Sequence, residues 1–153
     1  MKLWVETDSI YSAGRAVKVK EKELTKDINR KVLSRATRVV NAMRNAELEV
    51  LKGQGSGRVY RKPYTKKATY TASAPGEVPA RRTGSLRLHW NGNIKQRLVS
   101  SGGISIIAEL ESQEKYAAAL EHGTSKMAAR PYVEKIKEKA RSEIERIYSE
   151  SYQ

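Results

Sequence analysis

LTKDINRKVLSRATRVVNAMRNAELEVL (residues 24–51) is the stretch that decides the fold. Leu24, Ile28, Val32, Ala36, Val39, Met43, Ala46 and Val50 recur at steps of three and four, which lays them along one stripe of an α-helix. Lys26, Arg30, Arg38 and Glu49 fall among the polar positions. No Gly or Pro interrupts the run before Gly53, which is placed to end it. The spacing predicts one long amphipathic helix, and its stripe needs something to cover it.

Upstream, Leu3 and Val5 alternate with polar neighbours and Ser12-Ala13-Gly14 reads as a break, so residues 1–20 are expected to form a short strand or arm. Downstream, residues 52–82 change character. They open with GQGSG (53–57), carry Tyr60, Tyr64 and Tyr70 among Arg58, Arg61, Lys62, Lys66 and Lys67, and close with SAPGEVPARRTG (73–84). A long basic loop or arm is expected, and loops of this length are generally functional or disordered. Thr83 or Ser85 is placed to cap a short helical turn carrying Leu86 and Trp90. A hairpin is expected next. Ile94, Gln96, Leu98 and Ser100 alternate on one strand, Ile104, Ile106, Ala108 and Leu110 on the other, with Gly102-Gly103 at the turn. YAAALEH (116–122) reads as a short helix ended by Gly123. A final helix opens with Pro131 in its first turn and carries a stripe of Tyr132, Ile136, Ala140, Ile144, Ile147 and Tyr148. The expected architecture is a single α+β domain over residues 1–153. Its long N-terminal helix and C-terminal helix pack on a small antiparallel sheet.

Composition sets the bounds. Hydrophobic residues are 39% of the 153, with no Phe, so the apolar supply for a core is thin and a partner surface would help. The net charge is +13, and residues 52–97 hold eleven basic residues against one acid, Glu77. Charge this concentrated favours polyanions or acidic protein surfaces. With no Cys, disulfides, thiolate catalysis and Cys-based zinc sites are excluded, which fits a reducing cytoplasm. MKLWVETDSIY (1–11) reaches Glu6 without an apolar core, so no signal peptide is expected, and no run approaches the length of a membrane span.

Catalytic chemistry finds little support, and no catalytic, cofactor or metal site is expected. His89 and His122 lack metal-ligand spacing. Glu109 and Glu111 alternate on one face of a strand, as on a solvated hairpin, with no sign of a pocket to raise a carboxylate pKa. GQGSG follows a helix and lacks the Gly-Lys-Ser/Thr ending of a phosphate loop, so it reads as a flexible linker. Segment 58–70 carries more information. Its Tyr rings among Lys and Arg suit stacking on bases and contact with phosphates, or docking on an acidic neighbouring subunit. No readout motif for a specific nucleotide sequence is present.

Two segments, APGEVPARRTGSLRLHW (74–90) and YAAALEHGTSKMAARPYVEKI (116–136), together resemble the tail-completion, neck or head–tail joining proteins of tailed phages and prophages. Pro75, Gly76, Pro79, Arg82, Thr83, Gly84 and Leu86 match the first motif of that family. Tyr116, Glu121, Gly123, Thr124, Arg130, Pro131 and Tyr132 match the second. His122 and Tyr132 stand where Phe is common in the family, and the basic excess of 52–70 is stronger than its pattern. The resemblance implies a non-enzymatic structural protein of the virion, assembled in the bacterial host cytoplasm and placed at the head–tail junction. It implies a homo-oligomeric ring, with roughly six subunits favoured over about twelve. Neighbouring neck, connector or tail-tube proteins are the implied partners, together with DNA in the channel, and no membrane is involved. Glu121 and Arg130 are expected to pair across a turn or between subunits. Arg58, Tyr60, Arg61, Lys62, Tyr64, Lys66, Lys67, Arg81 and Arg82 are the expected contacts to DNA or to a protein partner. The alternative is a protein that binds nucleic acid without sequence specificity through residues 52–97.

Overall fold

The helical stripe runs further than its sequence pattern predicts. The computed structural model describes residues 8–99 and 104–152, with side chains from Gly14 onward. In it, α1 is a single helix of 43 residues, Asp8–Val50. The strand or arm expected within residues 1–20 is therefore corrected to helix from Asp8, while residues 1–7 lie outside the described residues. Gly14 does not break α1, because one glycine costs only about 1 kcal/mol relative to Ala in a helix. AVKVKEKEL (16–24), which follows, contains neither Gly nor Pro. The helix does stop before Gly53, its last turn closing with Leu51 N–H donating to the Glu47 carbonyl at 2.9 Å.

Two hairpins and three shorter helices follow: β1 (Val59–Arg61), β2 (Thr69–Thr71), α2 (Ser85–Leu88), β3 (Trp90–Leu98), β4 (Ile104–Ser112), α3 (Ala117–His122) and α4 (Val133–Ser149). The fold is α+β. Instead of one sheet there are two separate antiparallel pairs, β1–β2 and β3–β4. In the second, Ile94 faces Ala108, Gln96 faces Ile106 and Leu98 faces Ile104, so the two alternating sets share one face as their spacing predicts. That face lies on α1: a Cβ at Gly92 would sit 2.3 Å from Val40 Cγ1, so only glycine allows the approach. Lys95 and Glu109 pair on the other face at 2.6 Å. Ser100 and the expected Gly102-Gly103 turn lie outside the described residues. Trp90, expected on the turn of α2, opens β3 instead.

The core lies between α1 and α4, which run antiparallel. Ala46 and Leu51 pack with Tyr132, Ile136 and Ala140 at one end, and Val39 and Ala42 pack with Ile147 further along. Small residues on both helices allow this close approach without Phe. At the far end, Arg38 forms a bidentate pair with Glu150, Arg35 stacks 3.7 Å from the Tyr152 ring, and Lys31 donates to the Tyr152 carbonyl at 3.0 Å. Further upstream, Gln96 and Ile104 of the β3–β4 hairpin border α1 beside Glu23, Lys26, Asp27 and Leu33. Residues 14–26 are exposed throughout, and Val17, Val19, Leu24, Ile28 and Leu33 present apolar surface to solvent. Tyr148, expected in the α4 stripe, is also exposed.

Candidate functional site

The basic segment is more ordered than a loop. Val59-Tyr60-Arg61 and Thr69-Tyr70-Thr71 alternate in the β-branched and aromatic manner that suits strands, and Tyr60 faces Tyr70 across the pair. Their rings stack with centroids 5.7 Å apart. The ladder continues below the strands, where Gly57 N–H donates to the Ala72 carbonyl at 2.8 Å. GQGSG is therefore not the flexible linker its composition suggests. A Cβ on Gly55 would meet the Ala72 carbonyl oxygen at 2.2 Å, so this backbone lies directly against its neighbour. Glu77, the single acid of the region, is used internally. Its carboxylate accepts from Ser56 N–H at 3.1 Å, from Ala74 N–H at 2.8 Å and from the Ser56 hydroxyl, and the Ser56 hydroxyl bond leads in holding its pKa below the usual carboxylate value.

With that acid engaged, the hairpin is uniformly basic. Arg58, Arg61, Lys62, Lys66 and Lys67 are exposed, and Tyr64 at the tip is fully exposed with a left-handed φ of 61°. Arg58 lies over the Tyr60 ring and Arg82 over the Tyr70 ring, at 5.6 and 5.1 Å from the centroids.

The inner face of the hairpin forms one wall of a groove of about 760 Å³ at the C-terminal end of α1. The floor is apolar, from Leu51, Leu86, Leu120 and Met127, with Pro75 and Pro79 beside them. Five cations line the groove, Arg81, Arg82, Arg87, Lys126 and Arg130, and no carboxylate does. Two of the five are tied inward: Arg87 Nε donates to the Leu48 carbonyl at 3.0 Å and Arg130 Nη2 to the Ser73 carbonyl at 3.2 Å. Arg81, Arg82 and Lys126 make no side-chain hydrogen bond or ion pair among the described residues. Tyr60, Thr83, Gly84, Leu86, Tyr116 and Arg130, singled out from sequence, meet at this groove. Arg58, Arg61, Lys62, Tyr64, Lys66 and Lys67 do not line it.

The remaining motif residues build the framework. Gly84, with φ 91°, is itself the N-cap of α2, so neither Thr83 nor Ser85 caps it; Thr83 Oγ1 accepts from Ser85 N–H at 3.3 Å from the position before. Gly123 ends α3 with φ 77°, where a Cβ would meet Ala129 N at 2.8 Å. Thr124 and Met127 close a tight turn through a β-bridge. The expected Glu121–Arg130 pair does not form across the turn within the subunit. Instead Glu121 Oε2 accepts the backbone N–H of Tyr132 at 2.8 Å and of Val133 at 3.2 Å, capping α4 from α3. Pro131 accordingly lies before α4, not in its first turn. Tyr132 is 2% exposed and donates to the Ala117 carbonyl at 3.1 Å. Burial, with the nearby Glu121 charge, pushes its hydroxyl up to about 12.

The sequence pattern gave no sign of Glu47. It is fully buried on α1, bonded to Arg44 through Oε2, while Oε1 has no hydrogen-bond partner among the described residues. Burial pushes its carboxyl up to about 7. Arg44 also donates to the Arg87 carbonyl at 3.0 Å and the Leu88 carbonyl at 3.2 Å, so the pair ties α2 to α1. His89 lies 2.5 Å from Glu114 at the surface.

Comparison with protein-family models, with curated proteins and with solved structures finds no match for this chain. Among the described residues no helix is long and apolar enough to cross a membrane, and no group of three His, Asp or Glu is arranged to hold a metal ion.

Proposed function

We propose that this chain is a structural assembly protein of a tailed phage or prophage, placed at the head–tail junction. There it forms a ring that joins the tail to the DNA-filled head. The motif resemblance supplies the setting. The observation that carries the assembly reading is the outer half of α1, where Val17, Leu24 and Ile28 recur on one face of the helix that the described residues leave exposed. Identical subunits in a ring bury heterologous surfaces against one another, which gives such a stripe a partner. Light scattering across a concentration series, with and without duplex DNA, tests the reading. A closed oligomer of about six or twelve subunits supports it. A monomer or dimer that coats duplex at physiological salt overturns it.

That second outcome belongs to the other reading, a protein that binds nucleic acid without sequence specificity. The hairpin tip favours it, because Lys62, Lys66 and Lys67 surround Tyr64 with no acid between Arg58 and Thr71. A two-stranded ribbon also fits the major groove, which is about 12 Å wide.

A further inference from the structure

The groove at the C-terminal end of α1 combines an apolar floor with a rim of Arg81, Arg82 and Lys126. Its volume of about 760 Å³ suits a short peptide segment. A duplex offers thymine methyl groups but no large apolar side chain to fill the floor. The matching occupant is an extended segment with large apolar side chains next to carboxylates. The chain carries that composition at its other end: residues 1–7 read Met-Lys-Leu-Trp-Val-Glu-Thr, with Leu3, Trp4 and Val5 followed by Glu6.

That segment cannot reach the groove of its own chain. The 43 residues of α1 separate them by about 64 Å at 1.5 Å per residue, whereas seven extended residues span at most about 25 Å. In a ring, a second copy brings the segment within reach. We propose that residues 1–7 of one subunit dock in the groove of its neighbour. Leu3, Trp4 and Val5 lie on the floor formed by Leu51, Leu86, Leu120 and Met127, and Glu6 pairs with Arg81 or Arg82. The inference deepens the ring reading above and rests on it. It gives the outer half of α1 a mechanical role, carrying the docking segment across to the next subunit. Trp is among the residues that most often anchor interfaces of this kind.

The test uses the full chain with its own segment disabled by Leu3→Ser and Trp4→Ser. A fluorescent synthetic peptide of residues 1–8 is titrated into it and followed by anisotropy. The expected result is saturable binding that weakens at least about tenfold when the peptide carries Trp4→Ala. Arg82→Glu in the protein weakens it similarly, and a Glu6→Lys peptide recovers affinity for that variant. Arg82 is exposed, so the substitution leaves the core intact, as circular dichroism checks. Absence of saturation overturns the proposal. So does equal competition by a scrambled peptide, an unrelated acidic peptide or an oligothymidylate, each of which assigns the groove to another occupant. Rings without peptide binding defeat this inference alone. Peptide binding by a chain that otherwise only coats duplex defeats the head–tail reading alone.

Discussion

Glu121 joins two helices through backbone, not through its charged neighbour in the motif. Its Oε2 satisfies the N–H groups of Tyr132 and Val133 at the head of α4, where helix donors otherwise lack partners. Glu121→Ala is therefore expected to lower stability by about 1–2 kcal/mol, read from urea unfolding. Exchanging the charges, Glu121→Arg with Arg130→Glu, is expected to recover none of that loss, because Arg130 bonds the Ser73 carbonyl. Full recovery by the exchange would restore the ion-pair reading. Glu47 makes a second prediction, on pH. Its folded value of about 7 stands above its ordinary 4.5, so between these pH values the folded chain holds a proton that the unfolded chain has released. Stability from this group falls as pH rises from about 4.5 to about 7 and is level above, with a slope of at most about 1.4 kcal/mol per pH unit. Glu47→Gln removes the titration. Urea unfolding of both proteins from pH 5 to 8 should show a difference that shifts steadily in favour of the variant up to pH 7. A constant difference would mean that Glu47 does not titrate in this range.

At the scale of elements, legibility tracked periodicity. α1, the β3–β4 pair, α3 and α4 follow from stripes and alternations, because burial on one face imposes a repeat on the sequence. The β1–β2 hairpin escaped that reading. Its strands have three residues each, they cover no core, and the stacked Tyr60–Tyr70 pair is interrupted in sequence by lysines and a proline. The upstream extent of α1 escaped for the opposite reason: a glycine weakens a helix without stopping it. The groove was legible only as two separate motifs, since sequence order does not show that Arg82, Tyr116 and Lys126 meet. The hairpin also carries a prediction. Lys62, Lys66 and Lys67 are exposed and pack against nothing, so Lys62→Glu/Lys66→Glu/Lys67→Glu should leave the unfolding midpoint unchanged. If the tip contacts duplex, the slope of log affinity against log salt loses about 0.9 for each phosphate contact removed. A wild-type affinity that is flat with salt would place the hairpin against protein instead.

The whole molecule is a packed body with a helix that outruns it. Glu150 and Tyr152 meet α1 at Lys31, Arg35 and Arg38, yet α1 begins at Asp8. A chain with no Phe and few large apolar residues still leaves Val17, Leu24, Ile28 and Leu33 in solvent. Val17 and Leu24 keep most of their surface in water, so association has burial left to gain from them. Burying a Leu or Ile side chain contributes about 2 kcal/mol. The surface that Leu24 and Ile28 still expose amounts to about one such side chain, so Leu24→Ser with Ile28→Ser should weaken self-association on the order of thirtyfold. The unfolding midpoint of the dilute protein should move little by comparison, because Leu24 is largely exposed and Ile28 partly so in the isolated chain. Sedimentation across a concentration series measures the first quantity, and urea unfolding at low concentration measures the second. Loss of stability without loss of assembly would mean that the stripe is covered within the subunit and that the ring closes through another surface. Loss of assembly at constant stability would place the subunit interface on the outer half of α1.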